Sequence, residues 1–386
     1  MNASLQEPQR RAAVISMHYT YAHASHMIAL GQSLRALGFA VTFILDSKYL
    51  SICGFSRIGD TVPASQFRNN SERPPIDVAV FCNSAVKNHS LVRTLRAEKT
   101  SVFYLFHEPE TVWSWQVLKS EGAMKALRFF FSTYYSIKTL RQASGVIVCS
   151  SYARSLYQRN FLRFNRNVHV MPLPYDDEVG AERFEQMRSR KQYFGFVGTA
   201  CKAHGFDAFV KYAKFALRNG SDIPFVIATW VDLASLLRSD QELAALVKQG
   251  KIRMQHGREL SNDEINQHSL ECFCIWNVYR RSTQSGVLPR SFMAGTPVLA
   301  SRVGSFPEEV QPGHTGEFAS VNENPAAILA TVQNLRAHAA DYFDECRKIF
   351  LEKYYYRANH NLLSEIIEST SINKQSQAVD DGYKAR

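Results

Sequence analysis

A small, polar turn within Trp276 to Val298 carries the residue types best suited to binding an anion. Ser282 to Gly286 suits a turn and a helix N-cap, and the apolar residues that follow recur at helical spacing. Gly295 occupies the place of a helix C-terminal glycine, and Pro297 prevents the helix from continuing. We therefore predict a buried strand, a turn, a helix and a second strand, in this order.

The chemistry follows from the start of that helix. The backbone N–H groups of Ser285, Gly286 and Val287 are expected to point beyond the strand ends, where they can bind an anionic group. A helix N-terminus contributes only about 0.3–1 kcal/mol at an exposed site, whereas micromolar affinity requires about 8 kcal/mol. Cationic side chains and other contacts must supply most of the remainder. The nearest cations in the sequence are Arg280, Arg281, Arg290 and, from a neighbouring loop, Lys202.

The order of apolar segments predicts an α/β protein with doubly wound parallel sheets. Ala12 to Met17 is a predicted strand, the next helix closes at Gly38, and Ala40 to Leu45 is the following strand. Further strands are predicted at 77–82, 101–106, 145–150, 168–172, 193–198, 224–229, 251–256 and 271–276. Helices are predicted at 324–339 and 350–367.

Composition indicates a soluble globular protein with two domains and anionic partners. The chain has 386 residues, of which 45% are apolar and 21% charged, and its formal net charge is +10. A positive charge favours nucleotide diphosphates, an acidic membrane surface or nucleic acid. The basic residues are dispersed and form no nucleic-acid motif, so we expect no nucleic-acid partner.

The seven cysteines form no C-x-x-C pair and no metal-ligand spacing. Buried, reduced thiols are expected, as in a cytoplasmic protein. The chain shows no signal peptide and no apolar run as long as a membrane span. A cytoplasmic location is therefore expected, with contact at the inner face of the membrane left open.

The segment from Gln284 to Ser301, QSGVLPRSFMAGTPVLAS, resembles the donor-binding region of family 4 glycosyltransferases, which are retaining enzymes of the GT-B fold. The likeness is strongest over residues 250–320, and the order of elements agrees over 12–360. The resemblance implies two Rossmann-like domains facing across a cleft and a nucleotide-sugar donor. It also implies a glycan or lipid-linked acceptor in envelope polysaccharide synthesis, and neither a metal nor another cofactor.

One departure from the family pattern concerns the donor ribose. The family carries two glutamates separated by seven residues, and the second lies on the helix before the Gly-Thr-Pro sequence. This chain has Ser282 and Arg290 at these positions, or Thr283 and Ser291 if the register shifts by one. Neither register supplies a carboxylate. Arginine cannot accept a hydroxyl proton, so we expect Arg290 to reach the phosphate or the base instead.

The resemblance also implies the site residues. His107 follows a predicted strand where the family contacts the donor sugar, and we predict it to be catalytic together with Glu108. Lys202 takes the place of a family phosphate ligand, and His256 to Arg258 fall where the family brackets the base. The predicted donor-binding residues are Gly198, Lys202, His256, Gly257, Arg258, Arg281, Gln284, Ser285, Gly286, Val287 and Arg290.

The domain organisation is predicted from the same pattern. Asp176 and Asp177 suit a linker turn better than a metal-binding pair. The segment 113–141 is aromatic and basic, and it suits either a buried helix or one that lies on a membrane surface. The predicted ranges are 1–177 for the acceptor domain, 178–192 for a linker, 193–345 for the donor domain, 346–370 for a helix returning to the first domain, and 371–386 for a disordered tail.

Two further functions remain open. A non-catalytic GT-B-like protein that binds a partner is favoured by the missing glutamates, whereas the intact turn at Gln284 to Val287 favours a transferase. A GT-B epimerase would need carboxylates and histidine in its site, and His107, Glu108 and Glu110 would suit it.

Overall fold

The computed structural model describes residues 9–20, 23–69, 74–83, 88–109 and 123–369. The chain divides into two compact units. The first consists of Met1–Asp176 and Tyr355–Arg386, and the second of Asp177–Tyr354. The predicted tail at 371–386 and the first part of the aromatic segment lie outside the described residues.

The first unit is built on a seven-stranded parallel sheet with the order β3-β2-β1-β4-β5-β6-β7. Helices connect parallel strands and cover the sheet faces, which is why strands such as β1, β4 and β5 are continuous apolar runs. The strands are β1 Arg11–Ser16, β2 Ala40–Leu45, β3 Asp60–Pro63, β4 Val78–Phe81, β5 Ser101–Leu105, β6 Gly145–Val148 and β7 Val168–Val170. Six were predicted; β3 was missed because its sequence, DTVP, is short and half polar.

The helices of the first unit pack against this sheet. Ser150 begins one of them, because its Oγ accepts the Ala153 N–H at 3.0 Å. The helices are Ala24–Ala36, Cys53–Ser56, Ala64–Asn69, Asn88–Ala97, Ala123–Gln142 and Ser151–Asn160. The core beneath them contains the stacked rings of Tyr104 and Phe106 and the edge-on ring of Phe161.

The second unit is built on a six-stranded parallel sheet with the order β10-β9-β8-β11-β12-β13. The strands are β8 Tyr193–Val197, β9 Phe225–Ala228, β10 Ile252–Gln255, β11 Cys272–Asn277, β12 Val298–Ala300 and β13 Gly316–Phe318. Together the two sheets confirm the prediction of two parallel α/β domains. The predicted helix before Gly295 is also confirmed, since it spans Val287–Met293 and Gly295 follows with φ +63°.

The helices of the second unit begin within the segment predicted as a linker. Phe184 and Met187 are buried and anchor the helix Ala181–Arg188, so residues 178–192 belong to this unit. Two apolar residues are too few to form a periodic pattern in the sequence, so this helix was not predicted. Their burial is nevertheless enough to anchor a helix of eight residues. The remaining helices are Phe206–Arg218, Ala234–Ser239, Gln241–Lys248, Asn262–Glu271, Val287–Met293, Phe306–Glu309, Pro325–Ala337 and Ala339–Ile349.

The chain then returns to the first unit. After the π-helical turn Phe350–Tyr354, the Tyr356 N–H donates to the Tyr175 carbonyl at 2.9 Å, and residues 360–369 form a helix. In the described part of the chain, no helix combines the length and the apolar character needed to cross a membrane.

Candidate functional site

The second sheet has a topological switch point between β8 and β11, where the strand order reverses. Ligands of open α/β sheets bind beyond the carboxyl ends of the strands at such a point. The predicted donor-binding residues all follow carboxyl ends in this sheet. Gly198 and Lys202 come after β8, His256 to Arg258 after β10, and Arg281 to Val287 after β11. Gly198, Lys202 and the residues from Arg281 to Val287 flank the switch point directly.

Gly198 brings the loop after β8 against the start of the helix Val287–Met293. Its φ is +127°, and an added Cβ would lie 3.2 Å from Val287 Cγ2. A larger side chain would therefore be strained in its backbone and crowded by Val287. Two of the predicted residues, far apart in sequence, thus form one narrow edge of the candidate site.

The turn before that helix is fixed by its own hydrogen bonds. The Ser282 hydroxyl donates to the Gln284 carbonyl at 2.8 Å, and the Val287 N–H donates to Ser285 Oγ at 3.2 Å. Ser285 is buried, whereas Gly286 is exposed and Val287 is half-buried. An anion at this turn would contact the exposed backbone of Gly286. It would compete with Ser285 Oγ for the N–H of Val287.

Two of the nearby arginines are paired within the protein. The Arg280 guanidinium donates to the Asp207 carboxylate at 2.5 and 2.9 Å and to the Lys202 carbonyl at 2.7 Å. Arg258 donates to Glu264, which is held at the start of its helix by the Ser261 capping box. The side chains of Lys202 and Arg281 are exposed. Lys202 is therefore the lysine placed to meet a phosphate at the switch point.

Arg290 occupies a buried polar network of four side chains, which we call the Arg290 network. Only 7% of Arg290 is exposed. Its guanidinium donates to Asn266 Oδ1 at 3.0 Å, to Asn262 Oδ1 at 2.9 Å and to Glu178 at 3.3 Å. The amides of Asn262 and Asn266 donate in turn to Glu178 at 3.3 and 2.8 Å. The guanidinium therefore braces the helix Val287–Met293 against its neighbours, and contact with the donor remains a prediction.

An exposed tryptophan at the same edge of the sheet was not predicted from the sequence. Trp230 follows β9, and 56% of its surface is exposed. The indole N–H donates to Thr199 Oγ1 at 3.1 Å, which holds the ring beside the loop after β8. Nearby, the Leu233 N–H donates to His256 Nδ1 at 3.2 Å. The position of Trp230 directly after a predicted strand was the available signal, and such a ring suits base stacking.

The first unit contains a cluster of His23, His26 and His107, which we call the histidine cluster. His23 and His26 lie three residues apart at the start of the helix Ala24–Ala36, and His107 follows β5. The ring centroids are 4.6 Å apart for His23 and His107 and 4.9 Å apart for the other two pairs. The sequence predicted His107 but not the other two histidines.

Burial governs the charge of two of the three histidines, His23 and His107. Burial lowers the pKa of His107 to about 4, although the hydrogen bond to the Cys82 carbonyl acts in the opposite direction. Burial and the neighbouring His107 also hold the pKa of His23 well below its usual range. These two imidazoles are therefore neutral at pH 7 and act as ligands or acceptors rather than cations.

The loop before the histidine cluster is held by two polar side chains. The Tyr49 hydroxyl accepts the Thr20 N–H at 2.8 Å and donates to the Thr20 carbonyl at 2.9 Å. The Asn83 amide donates to the His18 carbonyl at 2.6 Å.

Glu108, the second predicted catalytic residue, is exposed beside His107.

The helix Ala123–Gln142 exposes a row of large apolar side chains. Met124 is 80% exposed, Leu127 53%, Phe131 49% and Tyr134 45%. Their spacing of three or four residues places them on one face of the helix. Lys138 lies over the Tyr134 ring at 4.6 Å. The described part of the aromatic segment thus has an exposed apolar face with a cation beside it.

Comparisons with known proteins identify the fold. No family model matches the chain, and no curated protein matches its sequence. Sucrose-phosphate synthase from Thermosynechococcus elongatus superimposes with a TM-score of 0.68 at 15% identity, covering 95% of this chain and 100% of the other. Anabaena HepE, solved in complex with UDP-glucose, gives 0.67 at 13% identity over 93% and 99% of the two chains.

The chain has the GT-B fold. WaaG, a glycosyltransferase involved in lipopolysaccharide biosynthesis, also matches, with a TM-score of 0.64 at 11% identity over 92% of this chain and 99% of its own. The fold predicted from the sequence is therefore confirmed. Identities of 11–15% establish the architecture alone.

Proposed function

We propose that this chain is a glycosyltransferase that moves a sugar from a nucleotide-diphosphate donor to a glycan or lipid-linked acceptor. The observation that carries the proposal is the switch point of the second sheet, where Gly198 meets the start of the helix Val287–Met293. Anabaena HepE, which shares the fold, was solved with UDP-glucose. A donor of that class is anionic and aromatic, which suits a protein of net charge +10 with an exposed indole at this edge.

We assign the donor diphosphate to the switch point. The Gly286 backbone and the side chains of Lys202 and Arg281 are exposed there and favour an anion. The base would lie further along the sheet edge, towards Trp230 and the loop from His256 to Arg258. Base stacking contributes about 1–3 kcal/mol per aromatic ring, so the indole would supply a substantial part of the affinity.

The transfer chemistry follows from the family resemblance. In a retaining front-face transfer, the leaving phosphate helps to deprotonate the incoming hydroxyl, and the protein contributes positioning and stabilisation of charge. No protein nucleophile is required. The missing glutamate pair therefore removes contacts to the donor rather than an indispensable group. We assign His107 and Glu108 to the sugar end of the reaction, in envelope polysaccharide synthesis.

The acceptor class is supported by the exposed face of the helix Ala123–Gln142. Leu127 and Phe131 offer apolar surface that could enter the interface of a membrane, and basic residues attract anionic lipids. A lipid-linked acceptor would be presented at such a surface. We therefore propose peripheral contact with the cytoplasmic face of a membrane.

A non-catalytic binding protein is the second candidate, and the Arg290 network favours it. Arg290 stands where the family has the ribose-binding glutamate, and its guanidinium lies among Glu178, Asn262 and Asn266. A protein that had lost transfer would be free to replace a donor contact by an internal brace.

Calorimetric titration with UDP tests the donor site, and incubation with labelled UDP-glucose, UDP-N-acetylglucosamine and GDP-mannose tests the activity. Lys202→Ala should weaken UDP about ten-fold or more, because a charge-assisted hydrogen bond contributes about 1.5–3 kcal/mol. Lys248→Ala is the matched control. It removes the same charge from an exposed position at the end of Gln241–Lys248, away from the strand carboxyl ends.

The outcomes separate the two candidates. UDP binding with sugar transfer to a membrane extract, or with slow donor hydrolysis, supports the transferase. UDP binding without turnover of any donor supports the non-catalytic protein. Equal effects of Lys202→Ala and Lys248→Ala would remove Lys202 from the site.

A further inference from the structure

The histidine cluster brings three imidazoles together from two separate elements of the first unit. One nitrogen from each of His23, His26 and His107 can be chosen so that all three lie within 4.8 Å of one another. His26 is 2% exposed, and the other two rings are half-buried. Histidines at i and i+3 share a helix face, and β5 delivers the third ring to that face. The arrangement has the geometry of a three-point ligand set.

One hydrogen bond fixes the protonation of the His107 ring, and His23 has a buried ring nitrogen. A carbonyl oxygen only accepts, so the contact of 2.8 Å between His107 Nε2 and the Cys82 carbonyl requires Nε2 to carry the proton. In the neutral ring, Nδ1 is then the atom with the lone pair. A metal-binding histidine characteristically donates its other N–H to a backbone carbonyl in this way. Among the residues that the structure describes, His23 Nδ1 is buried and has no hydrogen-bond partner, which is unusual for a polar atom.

We propose that His23, His26 and His107 together bind a divalent transition-metal ion, with Zn²⁺ the best match. Imidazoles without a carboxylate suit Zn²⁺, Ni²⁺, Co²⁺ or Cu²⁺ rather than Mg²⁺ or Ca²⁺. In a tetrahedral site with Zn–N distances of about 2.0–2.1 Å, the ligand nitrogens lie about 3.3 Å apart. The chosen nitrogens lie within 4.8 Å of one another. To reach the tetrahedral spacing, any two of them must therefore approach by about 1.5 Å at most. Three protein ligands leave a fourth coordination position for water or a substrate oxygen.

This site departs from the resemblance, which implies no metal and gives His107 a direct contact with the donor sugar. A bound ion would instead occupy His107 Nδ1. The inference does not depend on the donor site, because every ligand belongs to the first unit, whereas the predicted UDP contacts belong to the second. Metal binding and UDP binding can therefore succeed or fail separately.

The test is a titration of the metal-free full chain, without a polyhistidine tag, with CoCl₂. The ligand-field absorption of Co²⁺ reports coordination geometry, and ZnCl₂ added afterwards should displace Co²⁺ at one equivalent. His23→Gln and His107→Gln should each weaken Zn²⁺ binding by more than about a hundred-fold, because losing even a side chain that only hydrogen-bonds to a ligand costs about 10–100-fold. His314→Gln is the control, since this exposed histidine lies in the second unit.

X-ray absorption of the zinc-loaded wild-type chain keeps the proposal testable if a variant does not fold. Three imidazole ligands are expected, and one or none would overturn the site. Absence of stoichiometric binding by the wild-type chain would also overturn it, as would equal Zn²⁺ affinity in His314→Gln and folded His107→Gln. Loss of sugar transfer in His107→Gln without any metal binding by the wild type would assign this ring to the sugar instead.

Discussion

Replacing Arg290 by alanine tests whether this residue stabilises the protein through an internal network or binds the donor. The structure places the guanidinium in a buried network with Glu178, Asn262 and Asn266, at distances of 2.9–3.3 Å. The sequence instead suggested contact with the donor phosphate or base. Arg290→Ala would remove the guanidinium that pairs with the Glu178 carboxylate and donates to the two asparagine carbonyls.

The cost follows from the burial of these partners. Removing one member of a buried ion pair typically costs about 3–5 kcal/mol, because the other charge is left without a partner. The Glu178 side chain is 22% exposed, so water can partly solvate it. We expect a loss of about 2–4 kcal/mol in the free energy of unfolding. For a domain of this size, this lowers the melting temperature by roughly 4–16 °C.

Scanning calorimetry of the full chain measures this loss. A double-mutant cycle with Glu178→Ala should show strong coupling, because either single change already breaks the network. Arg336→Ala is the control: its guanidinium pairs with exposed Asp222 and should contribute little. If Arg290→Ala melted like the wild type and bound UDP much more weakly, the bracing role would be refuted.

Three other predictions test the site, the core and the surface. Gly304→Ala should weaken UDP binding, because an added Cβ would lie 2.1 Å from the Ser282 carbonyl and would displace the turn before the helix Val287–Met293. Gly313→Ala is the control and should leave UDP binding unchanged, since Gly313 also has a positive φ but lacks this contact. Burial lowers the pKa of Lys191 to about 7 in the folded state, so the unfolded state binds more protons between pH 7 and 10.5. The stability of the wild type relative to Lys191→Met should therefore rise with pH over this window in urea titrations. Replacing Leu127 and Phe131 by serine should reduce sedimentation with anionic vesicles, whereas equal sedimentation would exclude the helix as a membrane contact.

Most of the fold could be predicted from local patterns. Short apolar runs bounded by glycine and polar residues marked six strands of the first sheet, and the Gly-Thr-Pro sequence marked the end of the helix Val287–Met293. Such signals are local because a strand buried on both faces must be apolar throughout. β3 at 60–63 and β13 at 316–318 are short edge strands and lack that signal.

The site was less predictable because its contacts join distant residues. Glu178 meets Arg290 across 112 positions, and no local pattern shows that an arginine has a buried partner. His23 and His26 lie at the start of the helix Ala24–Ala36, and no local pattern indicates that their rings meet His107, which is more than 80 positions away. Trp230 follows a strand, which does not by itself reveal that its ring is exposed.

A crystal structure of the chain with UDP tests the central claim most directly. The proposal predicts the diphosphate at the switch point, within hydrogen-bonding distance of the Gly286 backbone and the Lys202 ammonium, with the uracil towards Trp230. Nucleotide bound elsewhere, or no binding at millimolar UDP, would contradict the assignment of this edge as the donor site.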